Sequence, residues 1–279
     1  MKIAIIARST KDSPNMVAKD AAILESVSRE LETLGAVIVN AEEDFEEECD
    51  AVCHMSRSAD ILKKLRKAEA KGVTVINNPE SVERCSRILF MKMLKHAGVP
   101  QPPFRIIEDA DELDTLHYPA WIKKAEGWSC HKDDIAYAGN AHEAKAILEQ
   151  MHRRGIGRAI YNKHIEGDLI KFYAVGHDWF HSCYPEQGKT KFGLEALNGT
   201  PEHYSFDCGE LKRIAGKAAE AIGVEIYGGD CIVDKAGNIY IIDINDFPSF
   251  SAVRKEAAEE IAKHIANTVK KKKRNEARG

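Results

Sequence analysis

The sequence predicts an α/β protein with an open parallel sheet at its N-terminus, followed by smaller α+β subdomains. Three observations carry this. The first 80 residues alternate short apolar runs with stretches of helical periodicity. Beyond them, short strand-like runs come in pairs joined by turns. At 279 residues the chain can bury a core shared by two or three subdomains.

Residues 1–7 form an apolar strand, and residues 16–34 place apolar side chains at helical spacing until Gly35 ends the helix. Strands at 36–39, 50–55 and 72–77 and a helix at 58–70 complete the alternation. The first turn, residues 8–12, lacks the glycines that let a backbone approach a pyrophosphate, so no dinucleotide is placed there. Asn77-Asn78-Pro79 turns the chain into a helix over residues 80–96, which Gly98 and Pro100 terminate. These signals divide the chain into an N-terminal α/β domain, 1–80, and a second domain, 81–279. Within the second, strands at 118–124, 135–139 and 158–165 and a helix at 141–153 form a subdomain at about 115–166. A C-terminal subdomain at about 167–268 holds strands at 170–176, 179–184, 229–234 and 239–245, with a helix at 209–222.

Hydrophobic residues make up 44% of the chain, charged residues 30%, and the net charge is -4. No apolar run is long enough to span a membrane or serve as a secretory signal, so a cytoplasmic protein with neither membrane nor nucleic acid as partner is expected. The seven cysteines form no CxxC pair and read as reduced thiols, with Cys53 a buried strand residue. The basic run at 270–274 reads as a solvated, frayed tail.

The strongest chemical signal is Asp230 on one strand with Asp243 and Asn245 on its hairpin partner. Residues two apart on a strand share a face, and an antiparallel partner can bring Asp230 onto it. Between apolar flanks, two carboxylates need a cation or hydrogen-bond donors to offset desolvation. Magnesium suits them, because it takes few protein ligands and completes its shell with phosphate oxygens and water. The same spacing also fits a polar stripe facing solvent.

Gly229-Asp230, followed by residues 242–248 (Ile-Asp-Ile-Asn-Asp-Phe-Pro), resembles the metal-binding end of ATP-grasp enzymes. Asn77-Asn78-Pro79, the end of the next helix at 97–100, residues 118–123 and residues 160–167 match further motifs in the family's order, so the resemblance covers the whole chain. It implies an ATP-grasp fold preceded by a Rossmann-like parallel-sheet domain, ATP with Mg2+ (or Mn2+) as cofactors, and a metal held by Asp230, Asp243 and Asn245. It also implies phosphate contacts from Lys123 and from a basic residue on the first helix, where Arg87 is the first choice and Arg84 the alternative. Asn162, Lys163, His164 and Ile165 match the hinge that holds adenine. Asp168 stands beside the ribose-acid position, which Leu169 occupies. The loop after Lys123 departs from the family's glycine-rich pattern, leaving Ser129 and His131 to supply side-chain contacts.

Most of this family joins a carboxylate to an amine, as the similar ribosomal-protein glutamate ligases do, and carboxylate and amine substrates are the expected partners. Lys189, Lys191 and Arg254 are then the catalytic candidates. Certain inositol polyphosphate kinases share the fold and a similar ending; in that reading Lys171 faces the substrate. A nucleotide-binding protein without catalysis is the third reading. A homodimer is the default assembly.

Overall fold

The computed structural model describes residues 1–13, 15–41, 49–185 and 199–277. Its first layer is a parallel sheet in the order β2-β1-β3-β4, formed by β1 (Lys2–Ile6), β2 (Val37–Asn40), β3 (Ala51–His54) and β4 (Thr74–Ile76). Helices α1 (Val17–Thr33) and α2 (Ala59–Ala70) make the crossovers. Strands β1, β3 and β4 are buried almost throughout, as a sheet covered on both faces requires. Cys53 is fully buried in β3, where loss of hydration pushes its thiol up to about 12.

One long helix was expected over residues 80–96, but two form: α3 (Pro79–Arg84) and α4 (Arg87–His96). Ser86 adopts an extended conformation, with φ -65° and ψ 143°, and restarts the helix as its N-cap. Apolar periodicity runs through the break, so the sequence pattern conceals it. The break makes Arg87 the first residue of α4.

Two antiparallel sheets follow. One has the order β5-β8-β6-β7, built from β5 (Phe104–Ile107), β6 (Ala120–Lys124), β7 (Ile135–Ala138) and β8 (Ala159–Lys163), with α5 (Ala141–Arg153) packed on it. Strand β5 was not anticipated from the sequence. The other has the order β10-β9-β11-β12, from β9 (Asp168–Val175), β10 (Trp179–Cys183), β11 (Ile226–Val233) and β12 (Ile239–Asp246). Helix α6 (Cys208–Ile222) and α4 cover one face of this sheet through Phe90, Leu94, Leu211, Ala215 and Ala218 against Phe172, Cys231 and Ile244. The opposite face carries Lys171, Asp230, Asp243 and Asn245 beside Leu169 and Ile242, and at one end its Tyr173, Val175 and Ile226 pack into a core shared with the first sheet.

Helix α7 (Arg254–Glu276) packs its buried stripe, Ala258, Ile261 and Ile265, against Ile23 and Val27 of α1. The basic run at 270–274 continues this helix rather than fraying, and Lys273 pairs with Asp50 at 2.7 Å. Asn77, after β4, ties the first sheet to the last: its side chain donates to the Ile226 carbonyl at 2.8 Å and accepts from the Glu225 and Ile226 amides. No helix among the described residues is long and apolar enough to cross a membrane.

Candidate active site

A cleft of about 350 Å³ lies between the two antiparallel sheets and is closed at one end by the first sheet's loops. Its floor follows from strand register. Asp230 on β11 stands opposite both Asp243 on β12 and Lys171 on β9, and Gly228 stands opposite Asn245. Opposed residues share a face, so Lys171, Asp230, Asp243 and Asn245 all point into the cleft. The register shifts after Asp230, giving β12 one extra residue. This bulge reverses the burial alternation along β12: Ile239 and Ile241 are buried before it and Ile244 after it, while Ile242 and Asp243 both line the cleft.

Gly228 and Gly229 permit this close packing. A Cβ on Gly229 would lie 2.2 Å from the Asp243 carbonyl oxygen, and one on Gly228 would lie 2.8 Å from that of Phe172. Lys171 Nζ reaches Asp230 Oδ1 at 2.6 Å, and Asn245 Nδ2 donates to Asp243 Oδ2 at 2.9 Å. Burial weakens the Lys171 ammonium, but the charge and hydrogen bond of Asp230 outweigh it and raise its pKa.

Across the cleft, Lys123 on β6 faces this floor. Burial and the neighbouring Arg87 guanidinium push its pKa down to about 8, against the opposing pull of Asp243 and Asp230. Arg87 donates to the Lys124 carbonyl at 2.6 Å and to Ser129 Oγ at 2.9 Å. Arg84 turns away, pairing with Glu80 and donating to the Ile222 carbonyl. The structure thus brings Arg87, Lys123, Ser129, Asn162, Lys163, Ile165 and Lys171 together with the acid pair and Asn245.

Other predicted residues lie elsewhere. His131 is exposed beside Asp133, and His164 accepts from Trp121 Nε1 at 3.0 Å without lining the cleft. Asp168 is buried and engaged by the amides of Glu202 and Tyr204 at 2.8 and 2.7 Å and by the Tyr184 hydroxyl. Arg254 begins α7 and does not line the cleft; its Nε is buried without a hydrogen bond. Lys189 and Lys191 fall outside the described residues.

The segments that follow the first sheet's strands, together with α1, contribute residues that sequence reasoning missed: Arg8, Ser13, Met16, Lys19, Asp20 and Arg57. Arg8 follows β1 and Arg57 follows β3, at the carboxyl ends of parallel strands, where open α/β sheets place ligands. That rule could have found them. Seven Lys and Arg side chains line the cleft against three Asp, which suits a polyanion.

Among the described residues, no three His, Cys, Asp or Glu side chains form a self-sufficient metal cage. Two carboxylates and an amide oxygen instead fit a hard ion that takes the rest of its shell from phosphate oxygens and water.

Residues 85–269 match the RimK-like ATP-grasp domain. The chain belongs to the RimK-like ATP-grasp family. Its α/β ATP-grasp fold, with a parallel N-terminal sheet, recurs in solved structures of low sequence identity. D-alanine–D-alanine ligase from Bacillus anthracis superposes with a TM-score of 0.72 at 14% identity, over 99% of each chain. VanG D-Ala:D-Ser ligase from Enterococcus faecalis gives 0.72 at 15%, over 95% of this chain and 98% of that one. A RimK domain ATP-grasp protein from Sphaerobacter thermophilus gives 0.66 at 16%, over 95% and 100%. No curated protein matches the chain in sequence.

Proposed function

We propose that this ATP-grasp protein is an ATP- and Mg2+-dependent ligase that joins a carboxylate to an amine. The observation that carries the nucleotide and metal assignment is the convergence of Asp230, Asp243 and Asn245 with Lys123 and Arg87 across one cleft. Asp230, Asp243 and the Asn245 amide oxygen would hold Mg2+, which neutralises phosphate charge when bound. Lys123 and Arg87 hold fixed positive charge on the opposite wall. The γ-phosphoryl group passes to a carboxylate oxygen as ADP leaves; the amine nitrogen then attacks the acyl carbon, expelling phosphate and losing a proton.

A kinase acting on a polyphosphorylated acceptor is the second reading, and the charge of the acceptor end disfavours it. Arg8 is paired with Asp20 and Asp246, and Arg57 with Asp246. Lys171 is held by Asp230 rather than offered to a substrate. Among the described residues, Lys19 on α1 is the one cation from the N-terminal α/β layer that lines the cleft without an acid partner. One ammonium suits a carboxylate better than a cluster of phosphates. The names of the similar solved structures, two amino-acid ligases among them, agree with the ligase.

Product analysis over amino acids, short peptides and inositol phosphates separates the readings. A ligase gives ADP and free phosphate only when both an acid and an amine are present. ADP with a phosphorylated acceptor and no free phosphate would establish the kinase. Asp243→Asn is expected to abolish turnover with an unchanged circular dichroism spectrum; full activity in that variant would remove the metal assignment.

A further inference from the structure

Arg57 is one of the most enclosed charges in the molecule, and neither phosphate nor metal binding requires it directly. It follows β3, in the segment that leads to α2, and its side chain is only 7% exposed. One edge of its guanidinium donates to Asp246 Oδ1, from Nε at 2.9 Å and from Nη2 at 2.5 Å. Its planar face lies 3.7 Å from the centre of the Trp128 ring. The edge and the face serve different subdomains.

Asp246 is the residue after Asn245 at the end of β12 and is 1% exposed. A second arginine secures the same strand end, because Arg8 Nη2 donates to the Phe247 carbonyl at 2.8 Å and to the Asp246 carbonyl at 3.3 Å. Trp128 sits in the loop after β6, next to Ser129, which accepts from Arg87. That loop carries one glycine where a glycine-rich cover would hold phosphates through its backbone. Asp134 holds the far end of the loop, accepting from the Cys130 and His131 amides at 2.9 Å, and Arg57 adds a side-chain anchor at Trp128 in its middle.

We propose that Arg57 is a positioning residue that joins the metal-bearing strand to the loop over the cleft, so that the loop's closed position and the setting of Asp243 and Asn245 depend on one guanidinium. Its consequence for metal binding rests on the nucleotide and metal reading given above. Lysine cannot replace it, since an ammonium has neither a two-donor edge nor a stacking face. Losing Arg57 leaves Asp246 with Arg8 alone, at 3.7 Å between Nη1 and Oδ2, and leaves Trp128 without its partner.

Amide hydrogen exchange over residues 125–131 in the protein without ligands reads the loop. ATP titration at several Mg2+ concentrations reads the strand. Arg57→Met is expected to speed loop exchange by about tenfold while leaving β3 protected, and to raise the Mg2+ needed for half-maximal tightening of ATP binding by about fivefold. Arg57→Lys should free the loop as Met does. Trp128→Leu, which spares the buried ion pair and tests the link should Arg57→Met fail to fold, should also free the loop and raise the Mg2+ requirement.

Loop exchange within about twofold of wild type in the Arg57 variants, or a freed loop with an unmoved Mg2+ requirement, would overturn the proposal. If wild-type ATP binding ignores Mg2+, the proposed function fails, while loop exchange still judges the link between Arg57 and Trp128.

Discussion

Lys123 shows how the cleft sets function against stability at a single side chain. Its pKa, pushed down to about 8 mainly by burial, lies below the ordinary lysine value of 10.5. The unfolded chain therefore binds more protons between about pH 8 and pH 10.5, and stability rises across that window. Well below pH 8 the folded state carries the full penalty, on the order of 3 kcal/mol. Lys123→Met is expected to raise the melting temperature at pH 7 and to flatten the pH dependence above 8, while weakening ATP binding. Calorimetry and ATP titration check both halves; a variant that is less stable and binds ATP normally would contradict the account. Arg84 and Arg87 mark the limit of what spacing reveals at this scale. Both are helix arginines in one apolar pattern, and only the extended Ser86 between them decides which one enters the cleft.

Among elements, the β11–β12 hairpin was the most legible. Its turn residues, its apolar flanks and the Asp-x-Asn spacing all follow from strand geometry. The bulge after Asp230 did not show, because an extra residue in one strand answers to its partner's register rather than to local composition. The role of Gly228 and Gly229 was equally hidden, since it lies in the carbonyls and the ring they approach. Gly229→Ala must push apart Asp243 and Phe172, whose atoms would lie 2.2 and 2.5 Å from the new methyl group. A loss of about 2–3 kcal/mol is expected from this overpacking, read as a lower midpoint in urea. An unchanged midpoint would show that the two strands are not held as described.

At the scale of the whole molecule, the alternation of strands and helices in the first sheet was readable from periodicity. The way that sheet closes the cleft was not. Arg8 and Arg57 reach residues more than 180 positions away, and no local pattern announces such contacts. Asn77 makes the same point in the core, where its buried amide joins the end of β4 to the start of β11. Asn77→Ala removes three hydrogen bonds and strands buried backbone groups, so a cost of about 3 kcal/mol is expected in chemical unfolding; a loss below about 1 kcal/mol would show that the two sheets are joined elsewhere. The central claim is that ATP and a divalent cation meet at Asp230, Asp243 and Asn245. Calorimetric titration of ATP with and without Mg2+, into wild type and Asp243→Asn, tests it most directly. Mg2+ is expected to tighten wild-type binding by about tenfold or more and to leave the variant's weaker binding unchanged. An equal response to Mg2+ in both proteins would contradict it.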